Sequence, residues 1–221
     1  MSAYLFLPAK VHPPYQTVVF FPSARVLNIP ESKTLGDMKF IDYVIQSGRA
    51  VLYPVYKGTY ERPGGAPDNT PTTVAGKELL IQQSKDLRRS IDYLETRPDI
   101  DRNRIGYMGV SMGAAAGVIF GALEDRLRTV ILLDGGFFAE KVLPGTDQAD
   151  FVPRVKAPVL MISGKFDWIF MGKDALYDMF GAPSADKKKL TFNTDHDVSE
   201  DRPDLVREVL AWLDKYLGRV N

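Results

Sequence analysis

Residues 104–117 read Arg-Ile-Gly-Tyr-Met-Gly-Val-Ser-Met-Gly-Ala-Ala-Ala-Gly. The first five residues have strand character, and Ala114, Ala115, Ala116 and Gly117 begin a small-residue helix. Between them Gly109-Val110-Ser111-Met112-Gly113 is a G-x-S-x-G turn with Ser111 at its apex. A serine in a strand–turn–helix of this kind sits on strained backbone, with its hydroxyl pushed out above the sheet. Glycines two residues to either side keep Cβ atoms out of the crowded bend. The amide of Met112, opening the helix, would point at negative charge developing on a bound oxygen. A plain Gly-Ser turn would carry the same letters, so the rest of the chain has to decide.

Working outward, apolar strands alternate with helical spacing. Strands are expected at residues 4–7, 16–21, 49–55, 104–108, 128–133, 158–163 and 189–193. The run at 16–21 is β-branched and aromatic almost throughout, which suits a strand covered on both faces. Helices are expected at 34–46, with Met38, Ile41, Val44 and Ile45 in register, at 76–96, after the serine, and at 205–217. Residues 56–73 form a long stretch rich in Gly, Pro and aromatics, the kind of loop that is usually functional or mobile. This alternation implies an α/β fold: a mostly parallel sheet of about seven strands with helices on both faces. In such sheets ligands bind outside the carboxyl ends of the strands. Ser111, Asp134, Asp167 and His196 all lie just past strand ends, so they should gather along one rim.

With 221 residues and 45% apolar content, residues 1–221 are expected to form a single domain. Lys and Arg number 28 and Asp and Glu 28, so no strong field draws in nucleic acid or an anionic membrane. The one basic run, Lys187-Lys188-Lys189, reads as a solvated loop beside Ala182-Pro183-Ser184. The absence of cysteine excludes disulfides, a thiol nucleophile and thiolate metal sites. The N-terminus lacks the basic and apolar regions of a signal peptide, and no stretch approaches a membrane span. A cytoplasmic location is the default expectation, although a chain trimmed of a leader would look the same.

A serine hydroxyl needs a neighbouring base to act as a nucleophile, and histidine is the usual one. Of the two histidines, His12 lies in a proline-rich link and reads as surface, whereas His196 follows the last strand. The base needs a carboxylate to orient it. Asp167 is the first candidate and Asp134 the second; Asp195 and Asp197 sit too close in sequence to wrap back onto the ring. The order Ser111, Asp167, His196 is that of the nucleophile, acid and base of α/β-hydrolases.

The chain resembles an α/β-hydrolase, specifically the dienelactone hydrolase and prolyl oligopeptidase catalytic-domain branch. The resemblance is carried by residues 101–113, residues 157–167, and His196 with the trailing Trp212-Leu213-Asp214-Lys215-Tyr216-Leu217. It implies a nucleophile elbow, a Ser111, Asp167, His196 catalytic triad and an acyl-enzyme mechanism that needs no metal or cofactor. Dienelactone hydrolases carry a cysteine nucleophile, so Ser111 points towards ordinary ester hydrolysis. The His-Gly-Gly segment common in the family is replaced by Phe21-Pro22-Ser23-Ala24. Pro22 has no amide to donate. The second oxyanion donor beside Met112 is therefore expected to be Ser23, with Ala24 as the alternative. The seven expected strands begin with what resembles the family's second, so the first is absent or the chain belongs to a longer polypeptide.

Only about twenty residues separate Asp134 from the next strand, which leaves no room for a large cap. Tyr56, Tyr60, Phe137, Phe138 and Trp168 are candidates to line an apolar pocket for a small acyl or aryl group. Arg62 is expected to be solvated. The substrate class implied is a small carboxylic ester; nucleic acid and membrane are not expected partners, and the oligomeric state is open. Two other readings stand beside it. One is an aminoacyl-peptide hydrolase, a group that usually adds a propeller domain and acidic residues to hold a free amino terminus. The other is a non-catalytic binding module on the same fold. Thioesterase or phosphotriesterase activity on the same serine is not ranked by the residues.

Overall fold

In the computed structural model, which describes residues 1–64 and 70–220, the apolar stretches pair into one seven-stranded sheet. In chain order the strands are β1 (Ala3–Phe6), β2 (Tyr15–Phe21), β3 (Ala50–Pro54), β4 (Ile100–Val110), β5 (Val130–Leu133), β6 (Val159–Gly164) and β7 (Lys187–Phe192). Across the sheet they run β1-β3-β2-β4-β5-β6-β7. Only β1 is antiparallel, laid against β3 from Ala3 opposite Pro54 to Phe6 opposite Val51; the other pairings are parallel. The strand order reverses between β2 and β4, where crevices open in doubly wound sheets.

The helices are α1 (Asp42–Gln46), α2 (Val74–Glu95), α3 (Met112–Leu123), α4 (Gln148–Phe151), α5 (Lys173–Met179) and α6 (Arg202–Tyr216). Thr73 caps α2, its hydroxyl accepting the amide of Gly76 at 3.1 Å. Residues 112–121 of α3 are all buried, which explains why its sequence lacks a polar face. Between β5 and β6 the chain makes only α4 and a short 3₁₀ turn, so no large cap covers the strand ends.

The structure departs from the sequence reading in a few places. Only the second half of the helix expected at 34–46 forms: a 3₁₀ turn at Met38–Phe40 leads into α1. Asp37 precedes it at φ 59°, a left-handed backbone that interrupts any helix arriving from Thr34. The Lys187–Lys189 run is not a loop but the start of β7. Lys188 pairs with Glu208, Lys189 with Asp174, and Lys187 reaches carbonyl oxygens at the end of α5. Arg62 is not solvated: it clamps Asp86 on α2, at 2.6 Å, and the carbonyl of Val55. The reading of 56–73 as one functional loop falls partly outside the described residues.

Two glycines fix how α3 meets the sheet. A Cβ on Gly109 would lie 2.3 Å from the carbonyl oxygen of Gly113, and one on Gly113 would lie 2.3 Å from that of Phe21. Both obstacles are backbone and cannot rotate away. Gly113→Ala should therefore cost about 3 kcal/mol or more, the upper range for overpacking. Urea unfolding measures this, and a variant within experimental error of wild type would show that α3 can shift without cost.

Candidate active site

Ser111 follows the last residue of β4 with φ 52° and ψ −109°, conformational strain for a residue with a side chain. Its amide donates to the carbonyl of Leu133 on β5 at 2.8 Å, and its carbonyl accepts the amide of Ala115 at 2.9 Å. The buried Tyr107 hydroxyl, from within β4, donates to the carbonyl of Gly113 at 2.6 Å. Strand, turn and first helical turn are thus tied together beneath the serine. Sequence reading missed Tyr107 because strand alternation alone does not say which inward ring reaches up into the turn.

His196 leaves the end of β7 and crosses over β6. The crossing needs Gly164: a Cβ there would lie 1.8 Å from the carbonyl oxygen of Asp195. The loop is held by the Lys165 amide on the Phe192 carbonyl, 2.8 Å, and the Phe166 amide on the Thr194 carbonyl, 3.1 Å. So placed, His196 Nε2 stands 2.8 Å from Ser111 Oγ. Its Nδ1 is 2.9 Å from Asp167 Oδ1, although the ring is turned so that an Nδ1 proton does not aim straight at the carboxylate. Apo sites often show such loose alignment and tighten around substrate. Ser111, His196 and Asp167 are therefore brought together from three loops.

Asp167 has a fully buried side chain. Burial alone would raise its pKa, but the Lys173 ammonium, the Ile169 amide and the His196 ring outweigh it and hold the carboxyl below the ordinary range. Lys173 Nζ lies 2.7 Å from Asp167 Oδ2, from the first turn of α5. Neither α5 nor this lysine was foreseen, since the short helix carries little periodicity.

Asp134, the alternative acid, is also buried and also strained, at φ 52°. One oxygen accepts the amide of Val198 at 2.9 Å and the other that of Gly164 at 3.3 Å. It thus braces the histidine loop from the end of β5. Asp134, Asp167 and His196 present ligand-type atoms all within 4.8 Å of one another, the one such cluster among the described residues. Those carboxylates already take the amides of Val198, Gly164 and Ile169 and the Lys173 ammonium, so the cluster reads as an internal network.

The serine opens onto a cleft of about 530 Å³ lined by residues that include Ser23, Ala24, Asp37, Phe40, Trp168 and Ile169. Trp168 is the one expected pocket aromatic that lines it, with 79% of its surface exposed. The other four do not. Tyr56 is buried and stacked on Phe21, ring centroids 3.9 Å apart. Tyr60 turns inward, its hydroxyl accepting the amide of Gly36 at 2.9 Å. Phe137 and Phe138 border a separate hollow beside Gln148, whose side-chain oxygen accepts the Phe138 amide at 2.7 Å.

The expected oxyanion donors divide. Met112 opens α3 directly after the serine. The amide of Ser23 is already committed, donating to Asp37 Oδ2 at 2.7 Å. Ser23 instead caps the 3₁₀ helix Ala24–Asn28, its Oγ accepting the amide of Arg25. The amide of Ala24, at the first position of that helix, has no acceptor among the described residues, and Ala24 lines the cleft.

Comparison with known proteins gives a consistent pattern. Residues 1–196 match the Dienelactone hydrolase family. The Bacillus subtilis (strain 168) protein "Putative hydrolase YtaP" is 26% identical over 138 residues, 58% of this chain and 46% of that protein. The match thus spans under half the length of that relative. Among solved structures, TT1662 from Thermus thermophilus superposes with a TM-score of 0.76 at 19% identity, covering 98% of this chain and 94% of that one. A cold-adapted esterase from an Arctic intertidal metagenomic library gives 0.73 at 18% identity, covering 99% and 88%. At these identities the structural matches establish the α/β-hydrolase fold.

The two acids predict a pH signature. Burial pushes the Asp134 carboxyl up to about 6; Asp167 adds to the rise, while the Val198 amide and His196 oppose it. Unfolded, an aspartate ionises near about 3.9. Between about pH 4 and 6 the unfolded chain has lost a proton that the folded chain keeps, so this residue's contribution to stability falls as pH rises. The urea midpoint of wild type, taken relative to Asp134→Asn, should decline across that window. Parallel profiles would show that Asp134 ionises normally.

Proposed function

The chain belongs to the dienelactone hydrolase family, and from that premise we propose that it is a serine hydrolase cleaving small carboxylic esters through an acyl-enzyme intermediate. The observation that carries the reading is the 2.8 Å approach of His196 Nε2 to Ser111 Oγ, with Asp167 on the far side of the ring. Ser111 Oγ attacks the ester carbonyl as its proton passes to Nε2. Asp167 steadies the imidazolium that results. The carbonyl oxygen, now negative, takes hydrogen bonds from the amides of Met112 and Ala24, the second replacing Ser23 because that amide is bound to Asp37. The imidazolium then protonates the departing alcohol. Water, deprotonated by His196, attacks the acyl-serine, and the same proton returns to Ser111 as the acid leaves. Trp168 and Ile169 supply the apolar wall against which a short acyl or aryl group packs. The esterase among the fold neighbours supports the reaction class.

A second reading has its own observation. Asp195 and Glu200 are exposed at the cleft and their carboxylates make no ion pair among the described residues, an arrangement that would suit a substrate with a free amino group. Turnover of nitrophenyl acetate and butyrate set against aminoacyl anilides separates the two, and a marked preference for the anilides would favour the peptidase. A non-catalytic module would show no labelling by a fluorophosphonate probe.

Ser111→Ala should abolish both probe labelling and turnover while leaving the thermal midpoint within a few degrees of wild type. Asp167→Asn should lower kcat by about 10³-fold or more, as loss of the orienting acid does elsewhere. Asp134→Asn should cost much less. The reverse ranking would place the working acid at the end of β5.

A further inference from the structure

We infer that Asp37 is a positioning residue for the oxyanion turn: its carboxylate holds the Ser23 amide and thereby sets the Ala24 N–H as the second donor to the reacting oxygen. The inference rests on the ester-hydrolase reading and concerns how its oxyanion site is built.

Several observations converge on this. The turn after β2 is short of donors, because Pro22 has none and the Ser23 amide is taken by Asp37 Oδ2 at 2.7 Å. The two remaining amides at the start of the 3₁₀ helix divide the work. That of Arg25 goes to Ser23 Oγ at 3.3 Å, leaving that of Ala24 for the cleft. A carboxylate gripping a backbone amide is a strong, charge-assisted contact, so it fixes the peptide plane on the N-terminal side of the one that must aim at substrate.

Asp37 is itself held from behind. The Gly36 amide donates to the Tyr60 hydroxyl at 2.9 Å, and the Tyr53 hydroxyl donates to the Gly36 carbonyl at 3.2 Å. The two hydroxyls are 2.8 Å apart. With Tyr53 donating to Gly36, Tyr60 donates to Tyr53 and the three bonds close into a ring. Burial raises the pKa of both tyrosines, so both keep the protons the ring needs. Tyr60 occupies positive φ, 51°, to make this contact, and Asp37 does so at 59°. Two strained residues and a buried tyrosine pair, all converging on one amide beside the nucleophile, mark a device for orientation. A Cβ on Gly36 would lie 2.8 Å from a methyl group of Val26, so the residue carrying the ring packs directly against a side chain of the 3₁₀ helix.

The test compares Asp37→Gly with Asp37→Asn. Glycine accepts the left-handed backbone without strain, so its variant removes the carboxylate and leaves the fold. Asparagine tolerates the same backbone and keeps an acceptor for the Ser23 amide. With nitrophenyl acetate, Asp37→Gly should lose about 30-fold or more in kcat with KM little changed, the signature of a contact made only in the transition state. Asp37→Asn should recover most of that loss. Amide hydrogen exchange by NMR should show Ser23 protected in wild type and exchanging about tenfold faster in Asp37→Gly. A glycine variant with wild-type kcat, a defect confined to KM, or equal Ser23 exchange in both proteins would overturn the inference. Wild-type protein that neither turns over esters nor reacts with a fluorophosphonate would instead refute the hydrolase reading, while the exchange comparison would still decide whether Asp37 holds the turn.

Discussion

The backbone at Ser111 must turn through a left-handed conformation, and the space for that turn exists only because three main chains pass one another without side chains between them. Gly109, Gly113 and the carbonyl of Phe21 meet there at distances no Cβ could share. The strain is held by bonds to both sides: the serine amide to Leu133, its carbonyl to Ala115, and Tyr107 to Gly113. Strain of this kind persists only where the surroundings over-determine it. The same contact brings the start of α3 against the end of β2, and the parallel pairing of Phe21 with Gly109 joins the two strands below it, so Ser111 and the turn bearing Ser23 and Ala24 stand on one framework.

The charges around His196 follow a second logic. Two buried carboxylates approach one imidazole, and the environment gives them opposite tendencies. Lys173 and two hydrogen bonds keep Asp167 ionised, while burial keeps a proton on Asp134 well above the usual aspartate range. Like charges so close would otherwise repel. Asp134 spends its oxygens on the backbone of the histidine loop, and Asp167 spends one of its own on the ring. The division of labour comes from what each meets, not from residue type.

The fold was legible because its strands are long apolar runs and its loops carry turn residues, so the seven strands and their rim were readable to within a few residues. The meeting of Ser111, Asp167 and His196 at one rim was also legible, because each stands just past the end of a strand. What failed depended on direction. Tyr56 and Tyr60 lie near the rim in sequence, yet Tyr56 packs flat on Phe21 and Tyr60 turns back to Gly36. Counting residues along a loop does not say which way its rings point. The spacing of Met38, Ile41, Val44 and Ile45 was helical enough to hide the break at Asp37, whose left-handed backbone is fixed by distant partners. Asp37 and Lys173 carry no local pattern at all; they matter because of what tertiary folding lays beside them.

The outermost strand, β7, has a consequence for the protein as a material. Three consecutive lysines begin it, two of them paired with Glu208 and Asp174. A second chain trying to dock its backbone there would have to strip water from ammonium groups and break those pairs. High concentration should therefore not, through this border, stitch neighbouring molecules into ribbons.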